Sequence, residues 1–261
     1  GFRKSRARGS SVEFSDFREY TLGDDLRRID WNAYGRLDRL FVKLFMEERE
    51  AFINVFIDGS KSMDFGMPKK SILSLQLAAA FSYLSLINMD RLYLNILEGK
   101  NLIASEVFGG RGQFDRCVSF LESVEFKGFT CLDEAIKKKK FMGRGLSVII
   151  SDFFTDGDLQ DVMKYLIYNK QEVVLINILS PEEQNPQQGG SVRLKDVETG
   201  EEVDVEMTAS TLNKYEKALK AFISNMQEIS KKYGAAYVNI ISEYSMEKVL
   251  FEELIGKRIV K

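Results

Sequence analysis

The chain has 261 residues, of which 44% are hydrophobic and 29% charged, a composition typical of a soluble globular protein with a substantial core. Its formal net charge is -2, from 37 basic and 39 acidic side chains. This balance argues against a general nucleic-acid-binding protein, because such domains usually carry a basic excess. Histidine is absent, so a bound metal would need oxygen ligands or the two cysteines.

The cysteine pattern and the hydropathy indicate a cytoplasmic protein. Cys117 and Cys131 lie in unrelated contexts without a C-x-x-C motif, so we expect reduced thiols rather than a disulfide framework. No run reaches the roughly 18 apolar residues of a membrane helix, and no signal peptide opens the chain. We therefore predict no membrane span.

The first 50 residues differ in character from the rest. Residues 1–10 are basic and small, which predicts a flexible arm. Residues 11–50 are charged and aromatic and end in an alternating run over 40–45, which predicts a strand. We predict that 1–50 form an N-terminal segment packed on a core domain of residues 51–261.

Strands and helices alternate from residue 51 onwards. The mostly apolar run 51–57 ends at Asp58 and is typical of a strand buried on both faces. The further predictions are helices at about 67–88, 113–123, 131–142, 158–169, 209–233 and 245–255, and strands at 91–97, 102–107, 146–152, 172–179 and 235–241. This alternation favours an α/β fold with a doubly wound, mainly parallel sheet. Residues 181–207 interrupt it and predict a loop followed by a β-hairpin around Thr199 and Gly200.

Oxygen-bearing side chains follow the buried strands at the points where ligands bind in such sheets. Asp58, Ser60 and Ser62 form a D-x-S-x-S turn after the first buried strand, and Asp152 ends the strand predicted over 146–152. Thr130, in a glycine-containing loop before a helix, could supply a further hydroxyl oxygen. Two carboxylates neutralise a divalent ion, and hydroxyls fill further positions. These hard ligands suit Mg²⁺ first, and Mn²⁺ or Ca²⁺ as alternatives.

The same five residues resemble the metal ion-dependent adhesion site of von Willebrand factor A domains. The resemblance rests on D-x-S-x-S, then G-x-T-x-L, then a strand ending in Ser-Asp, in that order. It implies a von Willebrand factor A-like, Rossmann-like sheet with one antiparallel edge strand, and a metal that binds a carboxylate of another protein. The implied function is protein binding rather than catalysis.

The N-terminal segment resembles the signature of a bacterial family known as domain of unknown function 58. The resemblance lies in Glu13-Phe14, Arg18, Tyr20 and the stretch 23–31 (GDDLRRIDW), with a later match over 180–204. Members pair this segment with an A-type domain. The family implies a cytosolic or membrane-tethered protein that acts with a MoxR-type AAA+ ATPase in maturing or remodelling other proteins, with the ATPase or a client protein as partner.

Other interpretations stay open at the level of sequence. Asp58 could cap a helix, or act as the nucleophile of a metal-dependent phosphotransferase or phosphatase, although position 60 is a serine rather than a second acid. A metal-free structural scaffold is a third possibility. Phe153 and Phe154 are candidate partner-binding residues, although core packing is the simpler role. The lysine run 137–140 predicts an exposed helical flank, and Asp64, Asp133 and Asp156 are candidate outer-shell acids.

Overall fold

The computed structural model describes residues 12–47, 51–155, 157–186, 191–195, 202–206 and 208–256. The chain divides into two compact units, residues 1–50 and 51–261. The predicted basic arm over 1–10 lies outside the described residues.

The described part of the first unit contains a two-stranded antiparallel sheet, a short 3-10 helix (Leu26–Arg28) and a short α-helix. Strand β1 (Val12–Glu19) pairs with β2 (Phe41–Glu47), and α1 (Trp31–Leu37) lies between them in the chain. The Asp30 carboxylate begins α1 by accepting the N–H groups of the helix's second and third residues at 2.9 and 3.2 Å. The alternating run at 40–45 is part of β2 as predicted, whereas β1 was not expected.

The second unit is built on a seven-stranded sheet. The strands of this unit are β3 (Phe52–Asp58), β4 (Arg91–Glu98), β5 (Asn101–Ala104), β6 (Phe108–Gly109), β7 (Gly145–Ser151), β8 (Gln171–Leu179), β9 (Ser191–Lys195), β10 (Glu202–Glu206) and β11 (Ala236–Ile241). The order is β11-β8-β7-β3-β4-β5, with β6 pairing on β4 as well. Strands β3, β4, β7, β8 and β11 are parallel, and β5 and β6 run antiparallel to β4.

This topology confirms the predicted von Willebrand factor A-like fold with an antiparallel edge. The edge itself differs in detail, because the strand predicted over 102–107 ends at Ala104 as β5, and a separate short strand, β6, follows it at Phe108–Gly109. The predicted hairpin insertion is also present, since β9 and β10 pair antiparallel with Leu194 opposite Val203. The turn around Thr199 and Gly200 lies outside the described residues.

Helices cover both faces of the sheet. They are α2 (Lys70–Ile87), α3 (Phe114–Glu122), α4 (Leu132–Ile136), α5 (Leu159–Tyr168), α6 (Pro181–Gln184), α7 (Ala209–Tyr233) and α8 (Met246–Lys248), which continues into a π-helical segment, Val249–Ile255. The helix predicted over 131–142 ends much earlier, at Ile136. The short helix α6 was not expected.

Side chains alternate between the two sheet faces and build two core clusters. On one face, Val55 and Ile57 of β3 pack with side chains of α2 and α3, and on the other Phe56 packs with those of α4, α5 and α7. Helix α2 is the only described helix with the length and apolar composition of a membrane span, and 56% of it is buried within the protein. Its apolar character is explained by its place against the sheet.

Candidate metal centre

The two strands that end in aspartate are neighbours. Strand β3 pairs in parallel with β7, and Ile57 lies opposite Ile150. The next residues, Asp58 on one strand and Ser151 on the other, therefore emerge at the same edge of the sheet, followed by Asp152. This edge is the carboxyl end of the parallel strands, where ligands bind in open α/β sheets.

The turn after β3 brings its polar groups together. The N–H of Ser60 donates to Oδ1 of Asp58 at 3.0 Å, and the hydroxyls of Ser60 and Ser62 are 2.9 Å apart. Gly59 lies between Asp58 and Ser60 in the chain. A Cβ at this position would lie 2.8 Å from the carbonyl oxygen of Leu97, which is closer than real Cβ atoms come. The turn therefore requires glycine at this position.

Backbone hydrogen bonds attach the Thr130 loop to the same turn. The N–H of Lys61 donates to the carbonyl of Gly128 at 2.9 Å, and Lys127 N–H donates to Gly59 at 2.8 Å. The Thr130 hydroxyl lies beside the Asp58 carboxylate and donates to the carbonyl oxygen of Leu97 at 3.2 Å. Asp58, Ser60, Ser62 and Thr130 thus converge at one point, although they come from two distant parts of the chain.

Asp58 is a carboxylate held in an unfavourable environment. It is only 1% exposed, and its Oδ2 accepts a hydrogen bond from the Ser151 hydroxyl at 2.5 Å. Burial raises the pKa of Asp58, and the nearby negative charge of Asp152 raises this pKa further, against the lowering effect of its hydrogen bonds. A cation bound between the two carboxylates would stabilise their charged forms, and would therefore oppose both effects on the pKa of Asp58.

Asp152 is bound on both oxygens by groups of this chain. Its Oδ1 accepts the N–H of Phe154 at 3.0 Å, and its Oδ2 accepts the ammonium of Lys70 at 2.7 Å. Lys70 also donates to Oε1 of Glu183 at 2.6 Å. Lys70 is fully buried and Asp152 is 1% exposed, so this ion pair lies inside the protein.

Sequence reasoning missed Lys70 and Glu183 as parts of the site, and it included Ser151 in the motif without giving its hydroxyl a role. In the sequence, Lys70 is a polar residue near the start of an apolar helix. Its position in the chain does not indicate a contact with Asp152. Glu183 had a readable signal, because Ser180 and Glu183 form a capping box at the start of α6. That pattern predicts a helix start, but not that the carboxylate reaches Lys70.

The donor set fits a hard divalent cation. The converging groups are two carboxylates and three hydroxyls, the ligand types that Mg²⁺, Mn²⁺ and Ca²⁺ prefer. Among the residues that the structure describes, no group of three or more acidic, cysteine or histidine side chains could hold a metal. Hydroxyls and water would therefore have to complete the coordination, as in the predicted arrangement.

Some of the residues predicted around the centre are buried in the core, and others lie at the surface. Of the two predicted partner-binding rings, Phe153 is 5% exposed and packs in the core, so it presents no surface to a partner. Phe154 is 40% exposed, with its ring centroid 5.0 Å from that of Phe222. Asp64 pairs with the exposed side chains of Lys61 and Lys69, and Asp133 accepts a hydrogen bond from the Cys131 thiol. Asp156 lies outside the described residues.

Comparison with solved structures gives low-identity matches. The chain is similar to BatB from Bacteroides thetaiotaomicron, with 15% identity, a TM-score of 0.49, and coverage of 80% of this chain and 100% of that one. It is also similar to the VWA domain of SpRpn10, with 12% identity, a TM-score of 0.42, and coverage of 78% and 95%.

Sequence comparison identifies the family. A Mycobacterium tuberculosis (strain H37Rv) protein of uncharacterized function is 24% identical over 239 residues, which cover 89% of this chain and 75% of that protein. The family model of DUF58, a protein family of unknown function, matches residues 16–222. That range includes most of the first unit and all five predicted metal ligands. The chain therefore belongs to the DUF58 family, with a von Willebrand factor A-like domain.

Proposed function

We propose that this protein is a metal-dependent protein-binding module rather than an enzyme. In this proposal, Asp58, Ser60, Ser62, Thr130 and Asp152 hold one divalent cation, with Mg²⁺ as the preferred ion and Mn²⁺ or Ca²⁺ as substitutes. The cation then binds a carboxylate of a partner protein.

One observation carries the proposal: two buried carboxylates from different strands lie close enough for the charge of Asp152 to disfavour ionisation of Asp58, with three hydroxyls around them. The proximity of Asp152 raises the pKa of Asp58. Burying like charges together is costly unless a cation joins them. Half-buried Ser62 is the member of the set that reaches towards solvent, which is where a partner's carboxylate would enter.

The partner is proposed from family resemblance. The resemblance to this family implies action with a MoxR-type AAA+ ATPase, so we propose such an ATPase, or a client protein offering an acidic residue, as the partner in the cytoplasm. Phe154 lies two residues after Asp152 with 40% of its surface exposed, and would supply an apolar contact beside the metal.

The burial of Asp58 favours this function over phosphoryl transfer. A nucleophilic aspartate has to reach the phosphorus atom of a substrate, but Asp58 is 1% exposed and accepts hydrogen bonds from Ser60 N–H and the Ser151 hydroxyl. A site that positions a metal needs no such access for its carboxylate. An assay with a generic phosphate ester tests the alternative, and turnover that disappears in Asp58→Asn would support it.

Thermal melting in millimolar Mg²⁺, Mn²⁺ or Ca²⁺ tests metal binding directly. A ligand that binds only the native state stabilises it, by about 2.7 kcal/mol at 100 times Kd. We expect the parent protein to gain stability with metal and Asp58→Asn, a neutral variant of the same shape, to lose that gain. The apo form of Asp58→Asn should melt no lower than the parent, because burial already disfavours the Asp58 charge.

Asp64→Asn is the matched control for this experiment. Asp64 lies in the same turn but is paired with Lys61 and Lys69 at the surface, so the same chemical change there should leave the metal response intact. Equal melting of the parent with and without all three metals would overturn the proposed function.

A further inference from the structure

Lys70 is a buried cation beside the proposed metal. Its side chain is fully buried, and its ammonium contacts Oδ2 of Asp152 at 2.7 Å and Oε1 of Glu183 at 2.6 Å. The rings of Phe65 and Phe154 lie 6.0 and 5.6 Å away and shield it from solvent. A buried ammonium is stable only when it is paired, and here two carboxylates share it.

The position of Lys70 in the fold adds to this requirement. Lys70 is the first residue of α2, an 18-residue helix. The amino end of a helix carries a partial positive charge and disfavours cations. The helix therefore does not stabilise the ammonium of Lys70. Among the contacts that the structure gives this ammonium, only the carboxylates of Asp152 and Glu183 compensate its charge.

Lys70 also determines the charge that a metal would meet. Asp58, Asp152 and Glu183 bring three negative charges to this region and Lys70 brings one positive charge, which leaves two negative charges for a divalent ion to neutralise. Without Lys70 the region would carry three, and without Glu183 it would carry one. The Lys70–Glu183 pair is therefore electrically neutral, but each member alone would alter the metal's environment.

Lys70 further limits how Asp152 binds a metal. Oδ2 of Asp152 is taken by Lys70, and Oδ1 by the N–H of Phe154. With both oxygens engaged, Asp152 is suited to hold a metal through a bridging water. Mg²⁺ keeps several of its waters in protein sites, whereas Ca²⁺ takes six to eight oxygen ligands and often binds carboxylates directly.

We propose that Lys70 is a positioning residue that sets the affinity and ion preference of this centre, with Glu183 as its counter-ion. By holding Oδ2 of Asp152, Lys70 lowers the affinity for divalent ions and disfavours Ca²⁺ relative to Mg²⁺. This inference rests on the proposed function, because it assumes that the five ligands hold a metal.

The test is calorimetric titration of Mg²⁺ and Ca²⁺ into the parent, Lys70→Met, Glu183→Gln and the double variant. Lys70→Met should tighten Ca²⁺ binding by about tenfold and Mg²⁺ binding by less, because it frees Oδ2 for direct ligation and removes a positive charge. Glu183→Gln should weaken both ions by about tenfold. The double variant restores the net charge and should return the Mg²⁺ affinity to within about threefold of the parent.

Lys69→Met is the matched control. Lys69 precedes Lys70 and loses the same charge in this variant, but its side chain is half exposed and pairs with Asp64. Solvent screens that charge, so both metal affinities should change by less than about threefold. A purely structural role for Lys70 would lower the melting temperature of Lys70→Met without changing the ratio of the Mg²⁺ and Ca²⁺ affinities.

The outcomes separate this inference from the proposed function. If the parent binds metal but Lys70→Met and Glu183→Gln leave the affinities and their ratio unchanged, the inference is overturned and the function stands. If the parent binds no metal but Lys70→Met does, the function is overturned and Lys70 is shown to control the site. Absence of metal binding in all variants overturns both. Should Lys70→Met fail to fold, Glu183→Gln and the double variant still decide, because a shared affinity in these two contradicts the charge effect.

Discussion

Lys139 is a second buried lysine, and its surroundings differ from those of Lys70. The sequence predicted residues 137–140 as an exposed flank, but Lys139 is only 6% exposed. Its ammonium donates to Oδ1 of Asn95 at 2.9 Å and lies 3.8 Å from the centroid of the Tyr93 ring. These partners are neutral, and burial lowers the pKa of Lys139 to about 8.

This shift predicts that stability rises with pH above about 8. Between pH 8 and the ordinary lysine value of 10.5, the unfolded chain binds a proton at this position that the folded chain has lost. The free energy of unfolding should therefore increase through this window, by at most about 1.4 kcal/mol per pH unit, and the contribution should be absent below it. Urea unfolding of the parent and Lys139→Met at pH 7.5, 8.5 and 9.5 measures the contribution of Lys139, as the difference between the two proteins in how the free energy of unfolding changes with pH. Equal slopes in both proteins would refute the shift.

The candidate site could be predicted from sequence only in part, and neither the role of Lys70 nor the burial of Lys139 was predicted. Asp58 and Asp152 were predictable because both follow runs typical of buried strands, and strand ends are where ligands gather. Ser60, Ser62 and Thr130 followed from spacing and from family resemblance. The role of Lys70 could not be predicted, because it depends on a contact between residues 82 positions apart in the chain. The burial of Lys139 within its run of four lysines depends on the end of α4 at Ile136. The hydrophobic periodicity of the sequence did not predict that end.

At the scale of elements, predictions held where a strand forms a continuous apolar run and failed at the shortest elements. Strands β3, β7 and β8 were predicted nearly to their ends, because short continuous apolar runs between turns are typical of strands covered on both faces. The edge strands β5 and β6 lack such runs, so their division at Ala104 and Phe108 was missed. Helix α6 has four residues and is too short to show a period.

Helix α6 depends on its cap more than a long helix does. The Ser180 hydroxyl accepts the N–H of Glu183 at 3.2 Å, while Oε2 of Glu183 accepts the N–H of Ser180 at 2.7 Å. Ser180 is fully buried, so water cannot replace the lost hydrogen bond. The cap of α7 has the same geometry, since Thr208 accepts the N–H of Thr211 at 3.2 Å, but Thr208 is exposed.

We therefore predict unequal costs for removing the two caps. Ser180→Ala should lower the free energy of unfolding by about 2 kcal/mol, because it leaves the partly buried N–H of Glu183 unsatisfied beneath a buried side chain. Thr208→Ala should lower it by about 1 kcal/mol, because water reaches the freed N–H at the surface. Urea unfolding of both variants beside the parent makes the comparison. A larger loss in Thr208→Ala would show that burial does not decide the cost.

At the scale of the whole molecule, the sheet of the second unit separates two cores. One cluster contains Ile178 of β8 together with side chains of α2 and α3, and the other contains Ile136 of α4 together with side chains of α5 and α7. Both isoleucines are fully buried. They belong to different clusters, so a cavity made in one does not have to be filled by movement in the other.

This separation predicts additive effects of substitutions on the two faces. Ile136→Val and Ile178→Val should each lower the free energy of unfolding by about 1 kcal/mol, through a lost methylene group and the small cavity that remains. Because the two sites share no packing neighbours, the double variant should lose the sum of the single losses to within about 0.5 kcal/mol. Urea unfolding of the parent, both single variants and the double variant gives the coupling energy. A coupling above about 1 kcal/mol would mean that the sheet transmits packing changes between its faces and that the cores act as one.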